Sequence, residues 1–493
     1  MCASILACVV ALAVVPSAAA QSTALKSPAP MDAKPQEVQA VQAVQAVFAR
    51  YETQGSPGCA VSVTQNSATV FSDGYGLVDL EHQQRITPQT AFYAASVSKQ
   101  FTAAAIGLLA LRGQLALDTN VRDLVPEVPD YGTPITVRHL LHHTSGLRDY
   151  LGLQGLAGWP EDMLLTERDF LAMVSRQKGL NFPPGTKHLY SNTGYVLLSL
   201  IVRTVSGLSL REFAAKELFT PLGMTNTTFR DNHLTAVPRR ATAYAPEAGG
   251  GFRSSVPGFD VIGDGGLFTT AEDLAKWNPT ALDGPLKAPG LSAMLVTPGR
   301  LNSGESLAYA MGLRLETYRG LALVRHGGSY GGYRTEMTVA PSANMTIAVL
   351  CNLSTATPYG ANGFSQRILD IYLVDQLAPP ITPPLPGGIM GSRLSGLGPF
   401  VARFSDFTGD YFSDELDVRW SIQPGTPSGI ALQRRNLSPL ALEPRDPSMV
   451  SFTAVGVPLS VRFEGDTAGR VTGFVIDSGD MTGIRFVKLP ARQ

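Results

Sequence analysis

The order of the hydrophobic patterns between residues 59 and 352 constrains this sequence most: strand patterns come first in this segment, helical patterns follow, and strand patterns return towards its end. Val- and Ser-rich runs at residues 59–64 and 68–77 flank an Asn-Ser turn, which predicts a hairpin. Strand patterns return after residue 305. Strands at both ends of a segment with helices in its middle predict an α+β fold, with an antiparallel sheet and a helical region.

Apolar residues recur at helical spacing through the middle of the chain and in alternating runs near its sheet-forming ends. The predicted helices cover residues 38–51, 96–112, 137–143, 167–177, 192–205, 271–277 and 364–374. The predicted later strands cover residues 307–316, 321–325, 333–339 and 345–352.

A change of composition divides the chain. With 493 residues it is too long for one ordinary hydrophobic core. Five prolines between positions 379 and 386, followed by several glycines, predict a linker over residues 377–398. Beyond it, short apolar runs alternate with Gly, Asp and Pro turns, as in a small β-barrel or sandwich. We therefore predict one domain over residues 37–376 and an all-β domain over residues 399–493.

The first twenty residues are typical of a secretory signal peptide. An apolar run at residues 5–15 precedes Ala18-Ala19-Ala20, a small-x-small cleavage pattern before Gln21. Residues 21–36 are small, polar and Pro-containing, which predicts a flexible leader. The apolar run is short for a membrane span, and no later stretch is apolar enough to cross a bilayer. We expect a periplasmic or secreted protein whose mature chain has no transmembrane anchor.

Charge and cysteine usage exclude some partners and leave one question open. The 39 Lys and Arg residues are offset by 40 Asp and Glu, so no nucleic-acid partner is predicted. Cys59 and Cys351 remain after removal of the signal. They either form one disulfide or are two separate buried strand residues, and the second interpretation is favoured. The histidines at 139, 142 and 143 lack the acidic residue of a zinc helix motif and are interpreted as structural.

The pattern Ser-x-x-Lys occurs at Ser96 and Lys99, where a helix is predicted to begin. Residues three apart share a helix face, so the lysine can reach the hydroxyl. A serine at a helix start also lies near unpaired N–H groups and the positive end of the helix. A desolvated lysine can act as the base that a serine nucleophile needs. A second copy at residues 175–178 lies at the charged end of a helix and is interpreted as solvated surface.

Tyr190-Ser191-Asn192 follows a Pro-Pro-Gly loop and precedes an apolar helix. A tyrosine hydroxyl near a lysine can move a proton between serine, leaving group and water. The Asn192 amide can hold both the lysine and a substrate amide, and it is also placed to cap the helix.

His326-Gly327-Gly328-Ser329 ends a predicted strand. Two glycines allow the backbone to approach a ligand closely. The N–H groups of Ser96 and Ser329 are then candidates for an oxyanion hole. Residues 327–331 also match the G-x-S-x-G nucleophile elbow, but a strand pattern follows where that motif requires a helix. Ser329 is therefore not predicted to be the nucleophile.

These three elements, in this order, resemble the serine β-lactamase and penicillin-binding protein superfamily, in particular its class C-like branch of esterases, D-aminopeptidases and D,D-carboxypeptidases. Further stretches are similar to family landmarks: LLHHTSGL at 140–147, PGTKHLYSNTGYVLL at 184–198, PLGM at 221–224 and GGLFTTAEDL at 265–274. The resemblance covers about residues 40–375. The all-β tail is similar to the lipocalin-like C-terminal module of some of these hydrolases.

The resemblance implies an antiparallel sheet flanked by helices, with the active site between the sheet and a helical subdomain. It implies acylation of Ser96, assisted by Lys99 and Tyr190, then hydrolysis, with no metal or organic cofactor. Asn192, His326, Gly328 and Ser329 are the predicted substrate-binding residues. The expected partner is a small-molecule or peptide substrate, and the oligomeric state stays open.

The substrate class depends on His326. β-Lactamases of this branch usually carry lysine at that position, where it favours the carboxylate of a β-lactam, whereas His-x-Gly versions resemble D,D-peptidases and D-aminopeptidases. We therefore expect an exported serine hydrolase that cleaves D-amino-acid peptides or small esters. A true class C-like β-lactamase and a non-catalytic receptor for muropeptides or β-lactams are the alternatives.

Overall fold

The computed structural model describes residues 35–53, 55–160, 162–256, 258–358, 363–379, 404–425, 429–435, 437–445, 451–467 and 470–490. The predicted signal peptide, most of the predicted leader and most of the predicted linker lie outside these ranges. The described residues form a sheet-and-helix domain up to residue 379 and a closed barrel after residue 404. The predicted α+β class with a small all-β C-terminal domain is confirmed.

The α-helices of the described residues are α1 (Pro35–Phe48), α2 (Lys99–Leu111), α3 (Val137–Leu141), α4 (Tyr150–Ala157), α5 (Glu167–Ser175), α6 (Asn192–Ser206), α7 (Leu210–Ala214), α8 (Ala271–Leu274), α9 (Leu291–Val296) and α10 (Phe364–Tyr372). The strands of the first domain are β1 (Cys59–Gln65), β2 (Ala68–Tyr75), β3 (Leu77–Asp79), β4 (Gln84–Arg85), β5 (Phe92–Tyr93), β6 (Thr228–Phe229), β7 (Tyr244–Pro246), β8 (Phe252–Ser254), β9 (Leu267–Thr269), β10 (Arg314–Tyr318), β11 (Leu321–Tyr330), β12 (Tyr333–Ala340) and β13 (Met345–Cys351).

The main sheet has six antiparallel strands in the order β10-β11-β12-β13-β1-β2, so the N-terminal hairpin joins the late strands through β1 and β13. Strand β13 is buried along its whole length, which explains why its sequence is apolar apart from Thr346. Because side chains alternate along a strand, Ile347 and Val349 pack towards α1 and α10, whereas Ala348 and Leu350 pack towards the helical region.

The pairing of β1 with β13 decides the state of the two cysteines. Cys59 lies directly opposite Cys351, both side chains are fully buried, and their sulfur atoms are bonded. The favoured interpretation of two separate buried residues was therefore wrong. Sequence alone does not fix the register that places these two strand residues side by side.

Helix α2 is the central helix of the helical region, and its residues are buried from Lys99 to Leu109. It packs against α6, α7 and α9. Among the described residues, no single helix has the length and apolar composition needed to cross a membrane. Helix α6 and the adjoining segment Leu210–Phe219 meet that criterion only as a pair, which is bent by 77°.

The predicted strand at residues 307–316 is mostly not a strand. Strand β10 begins only at Arg314, and a turn precedes it in which Ala310 N donates to Leu313 O. Gly312 has a φ of +73°, and a Cβ there would lie 2.7 Å from the backbone nitrogen of Gln100. The chain leaves the sheet here because it packs against the start of α2.

The second domain is a closed, eight-stranded antiparallel barrel. Its strands are β14 (Gly409–Ser413), β15 (Val418–Gly425), β16 (Gly429–Gln433), β17 (Leu440–Pro444), β18 (Ser451–Ala454), β19 (Leu459–Gly465), β20 (Val471–Ser478) and β21 (Met481–Lys488). Buried rings stack inside it, with centroids 4.4 Å apart for Trp420 and Phe486 and 4.7 Å apart for Phe474 and Phe486. The aromatic side chains thus fill the interior of the barrel as a packed core.

Candidate active site

The predicted nucleophile lies on a tight turn between β5 and α2. Ser96 belongs to a 3₁₀ turn (Ala95–Ser98), and the α-helix begins only at Lys99, so the predicted helix start at Ser96 is corrected by one turn. Ala95 has a φ of +47°, a region that non-glycine residues occupy at a cost in energy. This turn leaves the Ser96 side chain partly exposed, while both of its chain neighbours are buried.

Lys99 connects the nucleophile to the helical region. Its Nζ donates to Ser96 Oγ at 3.1 Å, to Asn192 Oδ1 at 2.7 Å and to the backbone oxygen of Asp264 at 2.8 Å. The lysine is fully buried. Burial lowers the pKa of Lys99 to about 8, while the carboxylates of Asp264 and Asp149 act in the opposite direction. The amine therefore has an appreciable neutral fraction near neutral pH and can act as a base.

The Asn192 side chain faces Lys99 and does not cap α6. Ser191 is the N-cap residue of α6, and no side-chain bond caps this helix at that residue. The backbone N–H of Asn192 donates instead to Asp149 Oδ2. Of the two predicted roles, contact with the lysine is the one that the geometry supports.

Two carboxyl groups at the site, the half-buried Asp149 and the buried Asp264, were missed in the sequence. Asp149 caps α4 by accepting from the backbone nitrogens of Leu151 and Gly152, and burial raises its pKa. Asp264 Oδ2 accepts from the Tyr150 hydroxyl at 2.9 Å, and burial raises the pKa of Asp264 to about 6. The Asp149 N-cap had a sequence signal, an Asp just before an apolar stretch, but that signal predicts a helix start and not a site.

The Tyr190 hydroxyl is buried and lies beside the Ser96 hydroxyl. Burial raises the pKa of Tyr190 well above its ordinary value, and the nearby Ser96 hydroxyl offsets a smaller part of that increase. The Lys99 Nζ lies 4.9 Å from the centre of the Tyr190 ring. The hydroxyl is thus a protonated donor beside the nucleophile.

His143 holds the Tyr190 loop in place. The ring centroids of His143 and Tyr190 are 4.2 Å apart, and His143 Nδ1 accepts from the backbone nitrogen of Ser191 at 3.1 Å. Burial lowers the pKa of His143 well below its ordinary value, so the ring is neutral. The other two members of this cluster also make local contacts: His139 closes a capping box with Thr136, and His142 bonds the Arg138 carbonyl.

His326 lies on β11 and is neutral. Its Nδ1 is 2.7 Å from the Gly327 oxygen, which can only accept, so we assign the proton to Nδ1. Its Nε2 then accepts from the Tyr309 hydroxyl at 3.1 Å. Burial and, to a smaller extent, the Lys99 charge lower the pKa of His326 to about 3. The position therefore carries no positive charge at neutral pH.

Gly328 and Ser329 follow on the same strand. A Cβ at Gly328 would lie 2.2 Å from the Ala94 carbonyl oxygen, so this glycine lets β11 pack against the nucleophile turn. We expected Gly328 to allow a ligand to approach the backbone, but the group that approaches it is the Ala94 carbonyl of the same chain. The two-residue turn between β11 and β12 makes Tyr330 and Tyr333 a hydrogen-bonded pair of the ladder. Hydrogen-bonded and non-hydrogen-bonded pairs alternate, so Ser329 belongs to a non-hydrogen-bonded pair. The Ser329 N–H therefore points away from β12, and its side chain is exposed.

A cavity of about 640 Å³ adjoins the site. Tyr150, which bonds Asp264, and Tyr330, which follows Ser329, are both part of its lining. Further apolar lining comes from Trp159 and Phe259, and Arg253 adds a guanidinium. The structure thus brings Ser96, Lys99, Tyr190 and Asn192 together and places β11 beside them, whereas the cavity is lined by neighbours of the site and not by these four residues.

Comparison with known proteins identifies the family. A model of the beta-lactamase family matches residues 40–369. The chain belongs to the beta-lactamase family. It is a serine hydrolase of the β-lactamase-related type, and the predicted resemblance to β-lactamases and penicillin-binding proteins is confirmed.

Two curated relatives from the family illustrate its range. Penicillin-binding protein 4* of Bacillus subtilis is 29% identical over 316 residues, which are 61% of this chain and 69% of that protein. The D-aminopeptidase of Gluconobacter oxydans is 29% identical over 301 residues, 61% of this chain but only 56% of the relative. The octameric penicillin-binding protein homologue from Pyrococcus abyssi shares the fold, with a TM-score of 0.57 and 24% identity over 93% of this chain and all of that chain.

Proposed function

We propose that this beta-lactamase family member is an exported hydrolase that cleaves D-amino-acid peptides or small esters through an acyl-enzyme on Ser96. One observation carries the proposal: the Lys99 amine is fully buried, lies 3.1 Å from Ser96 Oγ, and has its pKa lowered to about 8 by burial. A buried amine of this kind can take the proton of the hydroxyl as the serine attacks.

The first half of the reaction forms the acyl-enzyme. Neutral Lys99 accepts the Ser96 proton while Oγ attacks the substrate carbonyl carbon. The oxyanion accepts hydrogen bonds from the N–H groups of Ser96 and Ser329, because the first lies in a helical first turn and the second is free of the β11–β12 ladder. The Tyr190 hydroxyl donates its proton to the leaving amine or alcohol and recovers one from Lys99.

The second half releases the product. Water enters where the leaving group was and loses a proton to the same Tyr190–Lys99 pair as it attacks the acyl carbon. The ester bond to Ser96 then breaks, and Oγ regains a proton from Lys99. No proton is gained or lost by the enzyme over the cycle, so the same residues serve every turnover.

The proposed substrate class rests on the neutral state of His326. A charged lysine at this position favours the carboxylate of a β-lactam, whereas His326 has its pKa lowered to about 3 and carries no such charge. The adjoining cavity of about 640 Å³ is large enough for the acyl part of a short peptide or ester. The D-aminopeptidase relative supports amides of D-amino acids as the first class to test.

The buried disulfide supports export. Cytosolic thiols are kept reduced, whereas secreted and periplasmic proteins retain such bonds. The Cys59–Cys351 bond joins two central strands of the hydrolase domain. Export through a signal peptide that ends near Ala20 remains our prediction, as do the periplasmic or secreted destination and the domain boundaries.

A substrate panel tests the proposed function. We expect the full mature chain to hydrolyse D-alanine p-nitroanilide and p-nitrophenyl esters at least about tenfold faster, by kcat/KM, than a chromogenic cephalosporin. L-alanine p-nitroanilide is the stereochemical control. A preference for the cephalosporin would favour the β-lactamase alternative, and reversible binding of muropeptide or β-lactam without any turnover would favour the receptor.

The pH dependence of kcat/KM follows from the Lys99 pKa. Only the deprotonated amine can accept the Ser96 proton, so activity is expected to rise with pH and level off above about 8. The measurement is kcat/KM of the preferred substrate from pH 6 to 10. An acidic limb centred near an unperturbed lysine pKa, above 10, would contradict the assignment of Lys99 as a desolvated base.

A further inference from the structure

One ion pair between the two domains is buried. Arg148, which lies just before α4, contacts Glu415 in the loop between β14 and β15, and their side chains are only 3% and 4% exposed. The same guanidinium donates to the Thr482 carbonyl of β21 through Nε at 3.2 Å and Nη2 at 2.8 Å. Arg148 is therefore held by the barrel through a carboxylate and a backbone oxygen at once.

Glu415 uses both of its carboxylate oxygens. Oε2 also accepts from the backbone nitrogen of Lys178 at 2.8 Å, and Oε1 accepts from that of Arg485 at 3.3 Å. Desolvation of a buried ion pair offsets most of its Coulomb attraction, so such a pair adds little net stability over an apolar contact. Stabilisation of the fold therefore does not explain why the Arg148–Glu415 ion pair is buried between the two domains.

Residues 148–150 make hydrogen bonds to the residues that surround the active-site lysine. The Arg148 carbonyl accepts from Thr193 Oγ1 at 2.7 Å, and Asp149 accepts from the backbone nitrogen of Asn192. Tyr150, the third residue, donates to Asp264. Asn192 and Asp264 are in turn the two groups, besides the nucleophile, that hold the Lys99 amine.

We propose that Glu415 of the barrel is a positioning residue for the hydrolase site: by fixing Arg148 it fixes residues 148–150, and through them the surroundings of Lys99. The barrel interior is filled with aromatic rings, so the outer contacts of the barrel are where it acts on the hydrolase domain. The kinetic part of this inference rests on the proposed function, because it needs a turnover to measure.

A second interdomain ion pair provides the matched control. Arg176 and Asp417 are 3.9 Å apart, with side chains 31% and 63% exposed. They lie beside the buried pair but make an exposed contact, which contributes little. Asn tolerates the positive φ of position 417, so Asp417→Asn removes the charge without straining the loop.

The experiment compares Glu415→Gln with Asp417→Asn in the full mature chain. We expect Glu415→Gln to lower kcat by about 10- to 100-fold with KM changed less than about threefold, because a small displacement of catalytic groups has effects of that size. Asp417→Asn is expected to stay within about twofold of the parent. A folded Glu415→Gln variant with the parent's kcat would overturn the proposal, even if it melted at a lower temperature.

A readout without turnover separates this inference from the proposed function. The Lys99 titration is followed by NMR of the chain labelled with ¹³C at the lysine ε-carbon and assigned with Lys99→Met. We expect the Lys99 pKa to fall by about half a pH unit in Glu415→Gln, because Asp149 and Asp264 move away while the amine stays buried. An unchanged Lys99 titration would overturn the positioning role, whether or not the panel substrates are hydrolysed.

A conservative variant covers the case in which Glu415→Gln fails to fold. Arg148→Lys keeps the charge opposite Glu415 but loses the planar fork that reaches the Thr482 carbonyl. We expect a kcat loss of about tenfold and a Lys99 shift in the same direction. Parent values for both quantities in Arg148→Lys would overturn the proposal.

Discussion

Replacing Ser96 with alanine is expected to lower kcat/KM of the preferred substrate by about 10⁴-fold or more, because removal of the nucleophile in a serine hydrolase has an effect of this order. The change removes one partly exposed hydroxyl that interacts with the Lys99 and Tyr190 side chains, so the fold should be retained. The measurement is steady-state hydrolysis on the substrate panel, with circular dichroism and thermal unfolding to establish that both proteins are folded.

The chain contains its own control for this substitution. Ser175 begins the second Ser-x-x-Lys copy, and it is exposed at the end of α5. Ser175→Ala is expected to leave kcat/KM within about twofold of the parent. Equal activity of Ser96→Ala and the parent would exclude an acyl-enzyme on Ser96. A loss of activity in Ser175→Ala alone would indicate that Ser175, in the second Ser-x-x-Lys copy, is the nucleophile.

Loss of the disulfide is expected to destabilise the hydrolase domain by about 4–5 kcal/mol. Cys59 and Cys351 are 292 positions apart, and a crosslink that closes so long a loop removes much entropy from the unfolded chain. Alanine at both positions is the suitable change, because both side chains are fully buried in an apolar cluster and serine would bury an unpaired hydroxyl.

The measurement is urea unfolding of the parent and of Cys59→Ala/Cys351→Ala, with separate probes for the hydrolase domain and the barrel. The barrel transition is expected to be unchanged, since both cysteines lie in the sheet-and-helix domain. Parent protein reduced before unfolding should lose a similar free energy. A difference below about 1 kcal/mol in the hydrolase-domain transition would contradict a structural role for the bond.

The local parts of the candidate site could be predicted from the sequence. The spacing of Ser96 and Lys99 alone places their side chains together, since three residues make about one turn. The strand pattern after Ser329 correctly excluded a nucleophile elbow, because β12 follows after two glycines. The fold class was equally accessible, since it depends only on the order of hydrophobic periods.

The long-range parts could not be predicted in this way. Asp264 supplies a backbone oxygen to Lys99 from 165 positions away, and only the packing of the Gly-rich segment against α2 brings it there. The Cys59–Cys351 bond depends on the register of β1 against β13. Arg148 and Glu415 are 267 positions apart in different domains, and no pattern in the sequence links them.

The backbone conformation at Ser96 could not be predicted from the sequence either, for a different reason. Periodicity placed Ser96 in the first turn of a helix, yet the left-handed backbone of Ala95 turns the chain into a short 3₁₀ segment first. Alanine gives no sequence signal for a positive φ, unlike glycine or asparagine. Strained backbone of this kind is fixed by its surroundings, here by the close packing of Gly328 against the Ala94 carbonyl.

The most direct test of the Ser96 acyl-enzyme is the mass of the protein during turnover. The mature chain is mixed with a p-nitrophenyl ester, quenched in acid within its first turnovers, and digested for peptide mapping by mass spectrometry. We predict a mass increase equal to the acyl group on the peptide that contains Ser96, and no such increase in Ser96→Ala. Turnover without an adduct on that peptide, or an adduct on the peptide that contains Ser329, would contradict the mechanism.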